Sequence, residues 1–167
     1  FSSSGPVFFK QKRVGLHGRV FFQYKLRSMV SNAEDIKKEL MHLNEQSGPV
    51  FKIKDDPRLT KVGRFMRKYS IDELPQLFNI LLGSMTLIGP RPLPVSEVDQ
   101  FSEDFLHRRH SMKPGVTGLW QVQGRNNIKD FNKWVKLDLE YIDNWNFLLD
   151  FRIIVKTVST VLSGTGM

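Results

Sequence analysis

The sequence predicts an α+β fold: a mostly helical single domain over residues 1–167, opened by a basic N-terminal β-hairpin. Three observations predict it. A chain of 167 residues suits one domain with one sizeable core. Two β-rich runs near the start, Val7–Phe9 and Arg19–Tyr24, flank a segment containing Gly15 and Gly18. Beyond residue 30, apolar residues recur mainly at helical spacing.

The hairpin interleaves basic side chains with Phe8, Phe9, Phe21, Phe22 and Tyr24, and some of these aromatics should cover a core. A polar helix follows over Asn32–Glu45, with Ser31 as its cap, and Gly48-Pro49 breaks it. Phe51–Lys54 reads as a short strand and Asp55-Asp56-Pro57 as a turn. A helix over Lys61–Lys68 leads to Ser70-Ile71-Asp72-Glu73-Leu74-Pro75, where Ser70 and Glu73 have capping-box spacing. Pro75 cannot donate a helical hydrogen bond, so regular helix should begin nearer Leu74, leaving Asp72 and Glu73 just ahead of it. Leu74, Leu77, Phe78, Leu81 and Leu82 follow at helical period, and Gly83 ends the run.

Gly89-Pro90-Arg91-Pro92-Leu93-Pro94 is too rich in proline for helix or central strand and reads as a stiff, extended loop. Next come a helix over Val95–His110, a turn at Lys113-Pro114-Gly115 and a strand over Leu119–Val122 closing at Gly124. Asp130 caps a long helix through Trp145, and an amphipathic helix runs from Phe147 to Leu162. That last helix suits either core packing or a membrane surface.

Composition narrows the function. The chain has 40% hydrophobic and 25% charged residues, an ordinary globular balance that excludes a disordered or collagen-like chain. With no cysteine there is neither a disulfide framework nor a thiolate metal site or nucleophile. The longest apolar stretches fall well short of the ~20 residues of a spanning helix. The formal charge is +8, and it is uneven: residues 1–70 carry 15 Lys/Arg and 6 Asp/Glu, the remainder 10 and 11. Such a basic front implies an anionic partner: nucleic acid, phospholipid head groups or a phosphorylated substrate.

Several side chains could meet that partner. Asp72 and Glu73 stand at a helix entrance, where backbone N–H groups favour negative charge. An ionised aspartate there suits attack on a phosphoryl group or Mg²⁺ binding, and it suits plain helix stabilisation as well. Arg91, between two prolines, loses little backbone entropy on gripping a phosphate. Arg67 and Arg125 are further phosphate-binding candidates, and Lys25 belongs to the basic hairpin; each also reads as a surface or salt-bridging cation. Asp138 falls on the apolar face of its helix with Trp134, Val135 and Ile142, where a carboxylate needs an arginine, a metal or a binding site. The four histidines form no metal-ligand pattern, and no P-loop, GxGxxG or GxSxG occurs.

The segments Gly5-Pro6-Val7-Phe8-Phe9-Lys10-Gln11, Arg13-Val14-Gly15 and Tyr24-Lys25-Leu26-Arg27-Ser28-Met29 together resemble the bacterial sugar transferase family. So do Asp56-Pro57-Arg58-Leu59-Thr60-Lys61-Val62-Gly63, Ser70-Ile71-Asp72-Glu73-Leu74-Pro75-Gln76 and Gly89-Pro90-Arg91-Pro92. Lys113-Pro114-Gly115-Val116-Thr117-Gly118 and Asp138-Leu139-Glu140-Tyr141-Ile142 complete a set in the family's order across nearly the whole chain. These are monotopic phosphoglycosyl transferases. The resemblance implies transfer of a sugar-1-phosphate from a UDP-sugar to undecaprenyl phosphate, initiating exopolysaccharide, capsule or O-antigen assembly.

It further implies Asp72 as nucleophile, forming an aspartyl phosphosugar, with Glu73 as partner acid and Mg²⁺ held by Asp72 and Glu73. Arg91 is implied as the phosphate-gripping arginine, with Arg67, Arg125, Asp138 and Lys25 around the substrate. The expected partners include an anionic membrane surface and no nucleic acid; the expected location is the cytoplasmic face of the bacterial inner membrane. The family carries a membrane-inserted segment just before Gly-Pro-Val-Phe, whereas only Phe1–Ser4 precede it here, so the chain is expected to be a soluble catalytic domain without its anchor. The alternative is a basic module binding membrane or nucleic acid without catalysis.

Overall fold

Two strands, β1 (Phe8–Val14) and β2 (Val20–Leu26), pair antiparallel in a register running from Phe8↔Leu26 to Val14↔Val20. The computed structural model describes residues 3–124 and 128–164. β1 extends past the apolar run through Lys10–Arg13, because a largely solvated strand tolerates charged side chains. Of the hairpin aromatics, Phe8, Phe9 and Phe22 are exposed, whereas Phe21 and Tyr24 are half-buried. The hairpin buries Val14 in the main core and Gln23 against α3: the Gln23 amide donates to Gln76 Oε1 at 3.1 Å, and Asn79 Nδ2 donates to the Phe22 carbonyl at 2.7 Å.

The first helix, α1 (Ala33–Glu39), is shorter than predicted, and a separate 3-10 turn covers Met41–Leu43. Asn44 ends it. Its side-chain oxygen accepts from Gln46 N and Lys52 N, and its amide donates to the Gln46 and Val50 carbonyls. Residues 51–53 therefore lie outside any strand and Lys54 enters a turn; side chains of Asn44 and Glu45 take bonds a strand partner would supply. Helix α2 (Lys61–Lys68) matches its prediction, with the Thr60 hydroxyl accepting from Gly63 N at 2.9 Å.

Between α2 and α3 (Gln76–Leu81) lies a 3-10 turn, Ile71–Glu73. The expected capping box is absent: Ser70 is left-handed (φ 55°) with no capping bond from its side chain. The Glu73 carboxylate is drawn instead to cations from elsewhere in the chain. Strands β3 (Thr86–Ile88) and β4 (Gly115–Thr117) pair in parallel. Three sequence expectations fail in this region. The Val95–His110 helix is broken into α4 (Val95–Val98), α5 (Asp104–His107) and a 3-10 turn at Arg108–Ser111. Phe101, in the break, packs on Phe131 with ring centroids 5.7 Å apart. The strand lies at Gly115–Thr117, overlapping the turn expected at Lys113-Pro114-Gly115 only at Gly115, and Leu119–Val122 is helical (α6). A four-residue apolar run does not distinguish the two by period.

Helices α7 (Phe131–Asp143) and α8 (Phe147–Leu162) close the fold, with Asp130 capping α7 as expected. The main core gathers Leu93, Leu106, Trp120, Phe131, Trp134 and Val135; a second forms around Ile88, Leu119, Tyr141 and Ile153. Much apolar surface stays outside. On α3, Leu77, Phe78, Leu81 and Leu82 face outward, Leu81 being 82% exposed. On α8, Phe147, Phe151, Val155, Val158 and Leu162 do the same. Among the described residues, no helix is long and apolar enough to cross a membrane.

Gly63 permits the closest approach: a Cβ there would stand 1.8 Å from the Ser28 carbonyl oxygen. Gly63→Ala should therefore destabilise the domain by at least about 2 kcal/mol in urea unfolding, although alanine favours an isolated helix by about 1 kcal/mol. His110, stacked on Phe101, is pushed down to about 4 by burial, reinforced by Arg109 and His107. The unfolded chain then binds the extra proton between about pH 6.5 and 4, so stability falls as pH drops through that window. In pH-dependent unfolding, His110→Phe should reduce that slope.

Candidate active site

The 3-10 turn brings Asp72 and Glu73 into the protein, leaving them only 4% and 7% exposed. Buried carboxylates require partners, and three separate segments supply them. From β2, Lys25 Nζ donates to Glu73 Oε1 at 2.9 Å. From the proline-rich loop, Arg91 Nη2 donates to the same oxygen at 3.1 Å. From the last turn of α2, Arg67 Nε lies 4.0 Å from Asp72 Oδ2. Among the described residues these ion pairs set three cations against two acids, a cationic surplus suited to a phosphate group.

Each cation is held in place. Arg67 Nε donates to Ser28 Oγ at 3.0 Å, and the side chain-free Gly63 lets α2 press against the Ser28 backbone. Burial pushes Lys25 down to about 8, opposed by Glu73 and reinforced by Arg91. Burial also lowers Arg67, with Asp72 opposing. Arg91 sits 6.0 Å above the ring centroid of Trp120.

The loop carrying Arg91 forms neither helix nor strand over residues 89–93, as predicted, and two arginines that sequence reasoning did not assign to the site grip it. Arg13 donates to the Pro92 carbonyl at 2.9 Å and to Gln11 Oε1 at 2.6 Å. Burial lowers Arg13 to about 10, with Arg91 adding to the shift and Glu97 opposing it. Arg109 donates to the Arg91 carbonyl at 2.7 Å. Their only sequence signals were a basic strand and an Arg-Arg pair set between histidines.

Asp138, 1% exposed, pairs with Arg109 at 2.5 Å and is not paired with the Asp72–Glu73 turn. Burial raises Asp138 to about 6 against the pull of Arg109. The structure thus gathers Lys25, Arg67, Asp72, Glu73 and Arg91 and sets Asp138 behind Arg91. Arg125 lies outside the described residues. Among the described residues, no group of three or more acids or histidines forms a metal cluster.

Chemically, a carboxylate oxygen can attack phosphorus and a guanidinium fork matches phosphate oxygens, so a buried acid pair among cations suits a phosphate-bearing ligand. The chain belongs to the bacterial sugar transferase family, which it matches over residues 1–164. It is 53% identical over 162 residues to the galactosyl transferase CpsE of Streptococcus agalactiae, covering 97% of this chain and 36% of that protein. It is 45% identical to the undecaprenyl-phosphate galactose phosphotransferase of Salmonella typhimurium, covering 97% and 34%. To the UDP-glucose:undecaprenyl-phosphate glucose-1-phosphate transferase of Xanthomonas campestris it is 40% identical, covering 96% and 32%. The chain spans about a third of the length of these relatives.

Because Glu73 joins Lys25 and Arg91, Glu73→Gln should cost about 3 kcal/mol in urea unfolding by leaving two partly buried cations undercompensated. Leu81→Ser, on exposed surface, should change stability by less than about 0.5 kcal/mol.

Proposed function

We propose that the protein transfers a sugar-1-phosphate from a UDP-sugar to undecaprenyl phosphate, initiating exopolysaccharide, capsule or O-antigen assembly. The observation carrying this reading is the buried Asp72–Glu73 pair within reach of Lys25, Arg67 and Arg91, in a chain of the sugar transferase family. In the first half-reaction an Asp72 carboxylate oxygen attacks the sugar-bearing phosphorus. An O–P bond forms, the bond to the bridging oxygen breaks, and its electron pair leaves with UMP. In the second, a lipid phosphate oxygen attacks the same phosphorus, and the Asp72–phosphorus bond breaks to restore the carboxylate. Glu73 holds Lys25 at 2.9 Å and Arg91 at 3.1 Å, and Asp72 lies 4.0 Å from Arg67. In this reading Glu73 orients Lys25 and Arg91 toward the phosphates and Asp72 is the attacking carboxylate.

Charge spreads over the phosphate oxygens during transfer, so fixed cations stabilise that charge most where water is excluded. Adjacent carboxylates also form the donor set that Mg²⁺ uses when phosphates and waters complete its shell. Asp72 and Glu73 would hold the ion, which would neutralise charge on the donor's phosphates.

The acceptor's source fits the surface around the turn. α3 begins three residues after Glu73 and presents Leu77, Phe78, Leu81 and Leu82 outward, while the hairpin exposes Phe8, Phe9 and Phe22 among basic side chains. Apolar side chains bordered by cations suit the anionic leaflet at the cytoplasmic face of a bacterial membrane. A purely electrostatic binder of membrane or nucleic acid would gain nothing from two buried acids.

In full-length protein, UDP-sugar without acceptor should release UMP up to one equivalent per site, read by rapid quench. Asp72→Asn should abolish that release with the circular dichroism spectrum unchanged. Retained turnover by Asp72→Asn with lipid acceptor would sink the nucleophile assignment.

A further inference from the structure

Arg91 can grip a phosphate only if its backbone holds still. Pro90 and Pro92 fix two φ angles around it, and a residue preceding proline is itself restricted to extended conformations. The rotations that remain are controlled at the carbonyls. The Arg91 carbonyl accepts from Arg109 at 2.7 Å and the Pro92 carbonyl accepts from Arg13 at 2.9 Å, so two successive carbonyls of the loop are capped by guanidinium groups.

Arg109 is an unusual side chain to bury for this purpose. It is 2% exposed, its Nη2 is shared between Asp138 and the Arg91 carbonyl, and its Nη1 has no hydrogen-bond partner among the described residues. A buried ion pair with an orphaned donor adds little to stability, and apolar side chains of similar volume would serve packing as well. What they could not supply is the bond to the Arg91 carbonyl. The same unit also underlies the Arg91 side chain. The Arg109 guanidinium lies 5.6 Å from the Trp134 ring centroid, Trp134 stacks on Trp120 at 4.1 Å, and Trp120 carries Arg91 at 6.0 Å.

We infer that Arg109, neutralised by Asp138, is a positioning residue: it fixes the Arg91 backbone so that the Arg91 guanidinium meets the donor's phosphates. Asp138 then acts through Arg109 without touching substrate. The inference rests on the proposed reading of Arg91 as a phosphate-binding arginine.

The test replaces the pair with apolar side chains, Arg109→Met with Asp138→Leu, in full-length protein in membrane nanodiscs. This leaves no uncompensated buried charge, so folding is preserved. UMP release should fall about 100-fold in kcat/KM, as expected when a positioned group shifts by about 1 Å. Arg109→Lys, which keeps a donor and the charge, should recover part of that loss. In an Arg91→Ala background the apolar pair should change kcat/KM by less than about two-fold, since coupled residues are not additive. Losses that multiply in the combined variant would overturn the inference.

A readout independent of turnover is hydrogen exchange of the Gly89–Leu93 segment, which should accelerate in the apolar-pair variant; unchanged exchange would also overturn the inference. If the wild-type protein releases no UMP from any UDP-sugar, the proposed function fails, while the exchange measurement still decides the role of Arg109.

Discussion

The Glu73 carboxylate, shared by Lys25 and Arg91, is the contact on which the rest of the arrangement depends. It ties the second strand of the hairpin, the 3-10 turn and the proline-rich loop at one oxygen. Polar groups join these segments there, alongside Val14 of the hairpin and Leu93 of the loop, which both belong to the main core. The hairpin meets α3 through Gln23, Gln76 and Asn79, and the loop meets its surroundings through Arg13 and Arg109. Polar junctions are directional, so they set positions more narrowly than apolar packing does. That suits a site whose work is to hold charges at fixed distances.

The apolar residues are divided accordingly. Trp120, Phe131, Trp134 and Val135 make a core behind the loop, and a smaller cluster around Tyr141 and Ile153 anchors α8. Outside these, α3 and α8 leave long side chains in the open, with Phe147 83% exposed. A water-facing domain would gain by burying them. The exposed α3 residues follow directly on the acid pair and suit the lipid surface proposed for the acceptor.

Much was legible from residue order. Helices α2, α7 and α8 follow from period and capping residues, and the hairpin follows from two β-rich runs parted by glycines. Asp72, Glu73, Arg67, Arg91 and Lys25 were all singled out, from their position at a helix entrance, between prolines or in a basic strand, and from the family resemblance. The failures share a cause. The capping box at Ser70, the strand at residues 51–54 and the continuous helix over 95–110 are local readings. The capping box and the continuous helix gave way to contacts with distant segments, Glu73 to Lys25 and Arg91 and Phe101 to Phe131, and the strand gave way to bonds from the Asn44 and Glu45 side chains.

By itself the sequence determined the class: an α+β domain of the bacterial sugar transferase family, with a basic front and an acidic pair before a helix. Local chemistry suffices there, because propensity, capping and charge are properties of neighbouring residues. Only the tertiary structure decided which cations share Glu73, that Asp138 is spent on Arg109, and that the apolar faces of α3 and α8 point outward. Those outcomes depend on contacts between residues 18 to 48 positions apart and on which of two equally apolar faces meets the core. Periodicity marks a stripe as apolar, but only packing determines whether protein or something else covers it.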